Sequence, residues 1–243
     1  MPGAQAARSA EDAVLTALVP CLDEAAGLPR IERELFPALD ALDCDYEVLL
    51  IDDGSSDATP SLLKEMRSRR PNLRSIRHEK TLGIGGSLKT GIREARGEWL
   101  VFLDADLTFS PRDIKTLLLR QLETGADCVS GSPMLGGMPG VPFARRLPSL
   151  LLNTLYRGLL DRRFTAFTPM FRLYRVSDLR DLRIRSDGFE VSVEILARLL
   201  RAGKAVVEAP TPLSVRETGS SKLRRGQELL AHARLAWFLL VNR

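Results

Sequence analysis

Five short apolar runs in the first half of the chain constrain the fold more than any other feature. They are "VLTALV" (14–19), "YEVLLID" (46–52), "LRSIR" (73–77), "WLVFLD" (99–104) and "DCVSG" (127–131), and they read as strands covered on both faces, central in a sheet. Longer helical patterns separate them. Thr59 followed by Pro60 is an N-cap and first-turn signal for a helix to Arg70, and Ser110 followed by Pro111 does the same for a helix to Thr124. The βαβα order predicts an α/β fold with a mostly parallel central sheet and helices on both faces. Such sheets bind ligands beyond the carboxyl ends of their strands.

Those ends are acidic. The first run closes with "VPCLDE", giving Asp23 and Glu24; the second with "DDGSSD", giving Asp52, Asp53 and Asp57; the fourth with "DAD", giving Asp104 and Asp106. Carboxylates gathered at one rim repel one another unless something positive lies among them. Oxygen ligands of this kind suit Mg2+ or Mn2+, which bind one or two protein carboxylates and complete their shell with phosphates and water. A diphosphate-bearing substrate is therefore expected. Turn and N-cap chemistry is the competing explanation for "DDGSSD".

The balance of the chain narrows the partners. A net charge of +4 over 243 residues is too mild to imply nucleic acid, and at this length the core needs no staples. Cys21, Cys44 and Cys128 are far apart, without metal-ligand spacing, and are expected as reduced thiols. The stretch Ala13–Val19 follows Glu11 and Asp12 rather than a basic region, so a cytoplasmic location is expected. Leu235–Val241 is too short to cross a bilayer, for which about 20 residues are needed. The expected organisation is a loose tail over 1–12, one main domain over 13–223 and an amphipathic or apolar helix over 224–243.

Three further segments carry chemistry. In "LGIGGSLKTG" the P-loop pattern is absent, so the glycines read as a tight turn before a helix from about Ser87 to Arg96. In "FARRLPSLLLNTLYRGLLDRR", Leu147, Leu151, Leu155 and Leu159 repeat at i+4 with arginines at both ends. This predicts an amphipathic helix suited to a membrane interface, or to packing on the core. In "SDGFEVSVE", a helical reading puts Asp187, Glu190 and Glu194 on one face, as general-base candidates or as an exposed stripe.

Together, and in this order, "VPCLDE", "IDDGSSDAT", "GIGGSLKTGIREARGEWLVFLDADL", "FRLYR" and "GSSK" resemble inverting glycosyltransferase family 2. The likeness is nearest to its polyprenyl-phosphate sugar transferases of the dolichol-phosphate mannose synthase type and runs over about 14–223. The resemblance implies the GT-A form of a Rossmann-like sheet, a nucleotide diphosphate sugar donor of the GDP-mannose or UDP-glucose type, and Mg2+ or Mn2+ at the diphosphate. Carried over by position, it assigns Pro20, Asp23, Glu24, Asp52 and Asp53 to the nucleoside pocket. Asp104, Ala105 and Asp106 face ribose, metal and diphosphate, with the two aspartates as metal ligands. Arg216 and Lys222 in "VRETGSSK" match the basic pair that closes over the donor phosphates, where cations stabilise a leaving diphosphate. Arg145 and Ser149 fall where the family binds the acceptor's phosphate.

Two departures stand out. Where the family carries Gly-Ser-Arg after the fifth strand, this chain has Gly131, Ser132 and Pro133, leaving Arg146, Arg172 or Arg175 to supply the missing charge. Thr108 replaces the usual glutamine near the metal. The resemblance implies hexose transfer to a polyprenyl phosphate at the cytosolic membrane face. The enzyme would be held peripherally on anionic lipid through 145–163 and 222–243, with a membrane-anchoring subunit or second copy as a further partner. A hydroxyl-bearing acceptor, or a non-catalytic nucleotide-sugar-binding module, are the alternatives.

Overall fold

In the computed structural model, which describes residues 14–214 and 225–241, seven strands form one sheet in the order β3-β2-β1-β4-β6-β5-β7. The strands are β1 (Leu15–Cys21), β2 (Tyr46–Asp52), β3 (Leu73–Arg77), β4 (Trp99–Phe102), β5 (Cys128–Ser132), β6 (Arg172–Arg175) and β7 (Val206–Pro210). β1 pairs in parallel with β2 and β4, β2 with β3, and β5 with β7, whereas β6 runs antiparallel to both β4 and β5. The five expected strands are present within two residues at each end. β6, the "RLYR" of the motif, and β7 had no strand signal.

Alternate residues of the central strands explain the coverage. From β1, Leu15, Ala17 and Val19 enter one core with α1 (Leu28–Asp40), α2 (Thr59–Arg69) and α4 (Ile114–Thr124). Leu18 enters the other with α3 (Gly83–Glu94), α7 (Val176–Arg180) and α8 (Val191–Arg201). Two buried faces account for the apolar runs.

Helix boundaries show where local signals gave way. Ser110 accepts from Arg112 N at 3.3 Å, starting a short 3-10 turn that leads into α4, as expected. Thr59 instead lies inside α2, and Asp57 Oδ1 accepts its N–H at 2.9 Å. The glycine segment is not a turn before α3 but its first turns. A Cβ on Gly85 would sit 2.4 Å from the carbonyl oxygen of Ser186, so glycine lets this helix touch the 186–187 backbone. Packing, not phosphate binding, explains those glycines.

Beyond β5 come α5 (Pro133–Gly136), α6 (Phe143–Leu159) and, last, α9 (Arg225–Val241). α6, α8 and α9 share a third core containing Tyr156, Phe167, Leu196, Leu235 and Leu239. All three cysteines are free thiols, Cys21 and Cys128 buried, and burial pushes the Cys128 thiol up to about 12. No described helix is long and apolar enough to cross a membrane. The 1–12 tail, Arg216 and Lys222 lie outside the described residues, as does the side chain of Arg145.

Candidate active site

The strand order reverses between β1 and β4, so the crevice expected of such a sheet opens between their carboxyl ends. Asp23 and Glu24 leave β1 on one side, and Asp104 to Asp106 leave β4 on the other. Their loops touch: a Cβ on Gly27 would lie 3.2 Å from Glu24 Oε2 and 3.8 Å from the carbonyl oxygen of Ala105. Pro20 is half-buried in β1 opposite Ile51, at the same edge.

Asp104 and Asp106 are half-buried, while Ala105 and Leu107 between and beside them are buried. Burying alternate residues turns both carboxylates away from the core. Leu107 closes the turn with φ 47°, its N–H donating to Asp104 O at 3.0 Å. Asp23 holds φ 46°, and these two are the non-glycine residues of positive φ among those described. Each such conformation costs about 1–2 kcal/mol, and both lie at the rim of the crevice. Arg30 Nη1 steadies the acid turn by donating to Asp106 O at 3.0 Å.

The acids of the second strand end are already partly committed. Asp53 is buried, with Oδ1 accepting from Leu82 N at 2.9 Å and from His78 Nδ1 at 2.7 Å, and Oδ2 from Gly83 N at 2.9 Å. It anchors the N-terminus of α3 beside the pocket. Asp52 Oδ1 accepts from Ser55 N at 2.9 Å, while its buried Oδ2 lies 3.5 Å from Arg77 Nε without a hydrogen bond. Asp23 Oδ1 accepts from Ser56 N at 2.7 Å, so the turn chemistry of "DDGSSD" and the rim of the crevice are one structure.

Of the base candidates, Asp187 precedes α8 and pairs with Lys89 at 2.6 Å. Glu194 is buried, accepts from Ser186 N at 2.7 Å and pairs with Arg198. Those hydrogen bonds hold its carboxyl below the usual range although burial pushes it up. The three acids are therefore not an exposed stripe. Glu190 alone keeps a buried oxygen, Oε2, without a hydrogen-bond partner.

The replacements for the arginine absent at position 133 also separate. Arg172 is wholly buried and donates to Ser130 Oγ, Ser192 O and Phe167 O. Arg175 pairs with Glu98 and Asp127 and stacks over Trp99, the first residue of β4 and so at its far end. Neither lines the cavity beside Pro133. Arg146 does, sharing a cavity of about 130 Å³ with Pro133 and Ser149. Arg30, Arg77 and His78 went unread in the sequence, although Arg77 ends β3 at the same rim as the acids.

The donor chemistry fits a divalent ion: two half-buried carboxylates on one turn. Among the described residues no three or more Asp, Glu, His or Cys side chains form a cage, so a diphosphate and water would complete the shell.

The family model described as Glycosyl transferase family 2 matches residues 16–183. The chain belongs to that family. This family 2 enzyme is 31% identical over 221 residues to an undecaprenyl-phosphate mannosyltransferase of Micrococcus luteus, covering 88% of each chain. It is 28% identical to a dolichol-phosphate mannosyltransferase of Pyrococcus furiosus, covering 93% of this chain and 63% of that one. A glucosyl-3-phosphoglycerate synthase of Mycobacterium tuberculosis, solved with Mn2+, uridine diphosphate and glucosyl-3-phosphoglycerate, aligns with TM-score 0.64 at 21% identity over 95% of this chain and 79% of that one. The fold is therefore the GT-A fold, and the protein is a glycosyltransferase.

Proposed function

We propose that this glycosyltransferase moves a hexose, with inversion, from a nucleotide diphosphate sugar to a polyprenyl phosphate at the cytosolic membrane face. One observation carries the reading: Asp104 and Asp106 stand together at the switch-point crevice. The two relatives named for polyprenyl-phosphate mannosyl transfer support the acceptor class. Pro20, Asp23, Glu24 and Asp52 receive the nucleoside, with Asp53 fixing the pocket wall. Asp104 and Asp106 would hold Mg2+ or Mn2+, which when bound neutralises the developing diphosphate charge. Arg216 and Lys222 would add cationic donors at the same phosphates. Ser214, two residues before Arg216 in sequence, donates its N–H to Thr108 O at 2.8 Å, which ties that segment's start to the acid turn.

A phosphomonoester acceptor has a second pKa of about 6 and is already a dianion at neutral pH. The protein need only position it for attack on the anomeric carbon. No base is required, consistent with the commitment of Asp187 and Glu194 to structural pairs.

Surface chemistry supports peripheral attachment. α6 exposes Phe143, Leu147, Leu151 and Leu155, and α9 exposes Leu229, Leu230, Trp237 and Val241. The two helices pack on one another, Tyr156 Oη meeting His232 Nδ1 at 2.9 Å. A monolayer interface covers apolar side chains of this kind and favours Trp at its boundary. The deciding assay incubates the protein with Mn2+, GDP- and UDP-sugars, and short polyprenyl phosphates or the matching alcohols, and identifies products by mass. Hexosyl-phosphoryl-prenyl product supports the reading, and product only from alcohols overturns it.

A further inference from the structure

We propose that the groove between the second half of α1 and the start of α4 docks an acidic, leucine-bearing helix of a partner protein. The surface is separate from the donor and acceptor sites. The groove holds about 530 Å³, the size of a typical ligand cleft. Its floor is Pro37, Ala38, Ala41, Leu42 and Pro111. Alanine and proline carry little side chain, so a helix can seat closely on this floor. Cations rim it on both walls, Arg33 from α1 and, facing it, Arg112 from the 3-10 turn and Lys115 from the first turn of α4.

These cations are not spent on the protein's own acids. Among the described residues no carboxylate lies within ion-pair distance of Arg112 or Lys115. Glu34 lies on the lining at 4.0 Å from Arg33, but Arg30 holds it more closely, at 2.9 Å. Positive groups facing one another across a cleft repel, and acidic side chains laid between them relieve that repulsion. Leu119 and Leu122 continue the surface. They follow Lys115 by four and seven positions on the same face of α4, and they are 49% and 76% exposed. Leu122 is more exposed than any other large apolar side chain described, Trp237 included. α4 packs on the first core whereas α6 and α9 share the third, so these leucines sit on a different layer from the proposed membrane face. A basic groove that runs into two leucines is the complement of an amphipathic helix with acids at one end and leucines one to two turns further on. A second copy presenting the same face would set cations against cations, and a flat bilayer does not fill a concave cleft. The occupant is therefore a different protein.

The test titrates the full chain into a fluorescein-labelled helical peptide of Glu, Ala and Leu, with its acids in the first turn and its leucines along one face beyond them. A second peptide carries Lys in place of Glu. Anisotropy should show the acidic peptide binding wild type and the lysine peptide failing to bind. Arg112→Glu combined with Lys115→Glu should weaken binding at least tenfold, and Leu122→Ser at least threefold; all three side chains are exposed, so the fold tolerates the changes. Reversing two exposed cations of α2, Lys64→Glu with Arg67→Glu, should change it less than twofold. A benzophenone on the acidic peptide should crosslink within 33–42 or 110–122, read by mass. Equal loss in the two charge-reversed proteins, or crosslinks spread over other segments, reduces the attraction to net charge and overturns the groove, as does failure of the acidic peptide to bind wild type. A wild-type dimer in sedimentation that Leu122→Ser dissolves gives the surface to a second copy and overturns the separate partner.

Discussion

Arg30 Nη1 donates to the main-chain carbonyl of Asp106 at 3.0 Å while its Nε pairs with Glu34 at 2.9 Å. A helix that begins beside the β1 loop thus holds the turn that presents the paired acids of β4. The site depends on this support because Leu107 keeps that turn in a left-handed conformation, which neighbouring contacts must sustain.

Asp106→Asn removes a charge from the turn and almost no volume. Transfer should fall at least a hundredfold with the melting temperature nearly unchanged, and EDTA should inhibit wild type to a similar level, restored by Mn2+ or Mg2+. Full activity in EDTA would sink the metal role.

Arg216→Ala and Lys222→Ala should each weaken donor binding or turnover by more than tenfold, since losing a hydrogen bond to a charged group costs roughly 1.5–3 kcal/mol. Steady-state kinetics on both variants, with donor varied, checks this. Unchanged constants in both would make the segment an ordinary surface loop.

Asp53 is a stability determinant. Its carboxylate satisfies Leu82 N, Gly83 N and His78 Nδ1 from a buried position. Asp53→Ala leaves those donors unpaired at about 1–3 kcal/mol for a buried group, and should lower the urea midpoint clearly, with Asp53→Asn intermediate. A midpoint equal to wild type for the alanine variant contradicts this role.

Burial lowers the imidazole of His232 from 6.5 to about 4. A lowered base keeps the folded state neutral while the unfolded chain takes up a proton. Its contribution is therefore complete above pH 6.5 and is lost as pH falls towards 4, by ~3 kcal/mol. Glu228 works in the opposite sense, its carboxyl raised by burial and then by Glu190. The difference in unfolding free energy between wild type and His232→Asn, followed from pH 7 to 4.5, isolates the histidine. It should shrink on acidification, and a constant difference refutes the linkage.

Flotation with acidic liposomes tests the exposed faces of α6 and α9. Wild type should float at low salt and dissociate as salt rises, at roughly 1 kcal/mol per engaged basic residue. Changing Arg145, Arg157, Arg224 and Arg225 to Gln should abolish it. Flotation identical in the variant, or none in wild type, turns the apolar faces over to a protein partner.

The sequence alone determined the layered α/β architecture and the strand ends that meet at the crevice. Runs apolar on both faces can be satisfied only inside a covered sheet, and strand direction then decides which residues reach the ligand edge. β6 escaped because its four residues, Arg172–Arg175, set only Leu173 and Tyr174 between two arginines, too short a run to read as a strand, and Ser130, Ser192 and Phe167 make a buried Arg172 tolerable.

Tertiary structure decided what each polar residue is free to do. Glu194 reads as a base in the sequence and is spent on the 185–186 backbone and Arg198. Glycines that read as a turn are the place where α3 meets Ser186 and Asp187, about a hundred positions away in the chain. Of the three arginines offered in place of position 133, only Arg146 shares its cavity. Local periodicity reports which face of an element is apolar; hydrogen-bond partners and counterions are chosen among residues distant in sequence, and only the packed chain brings those together.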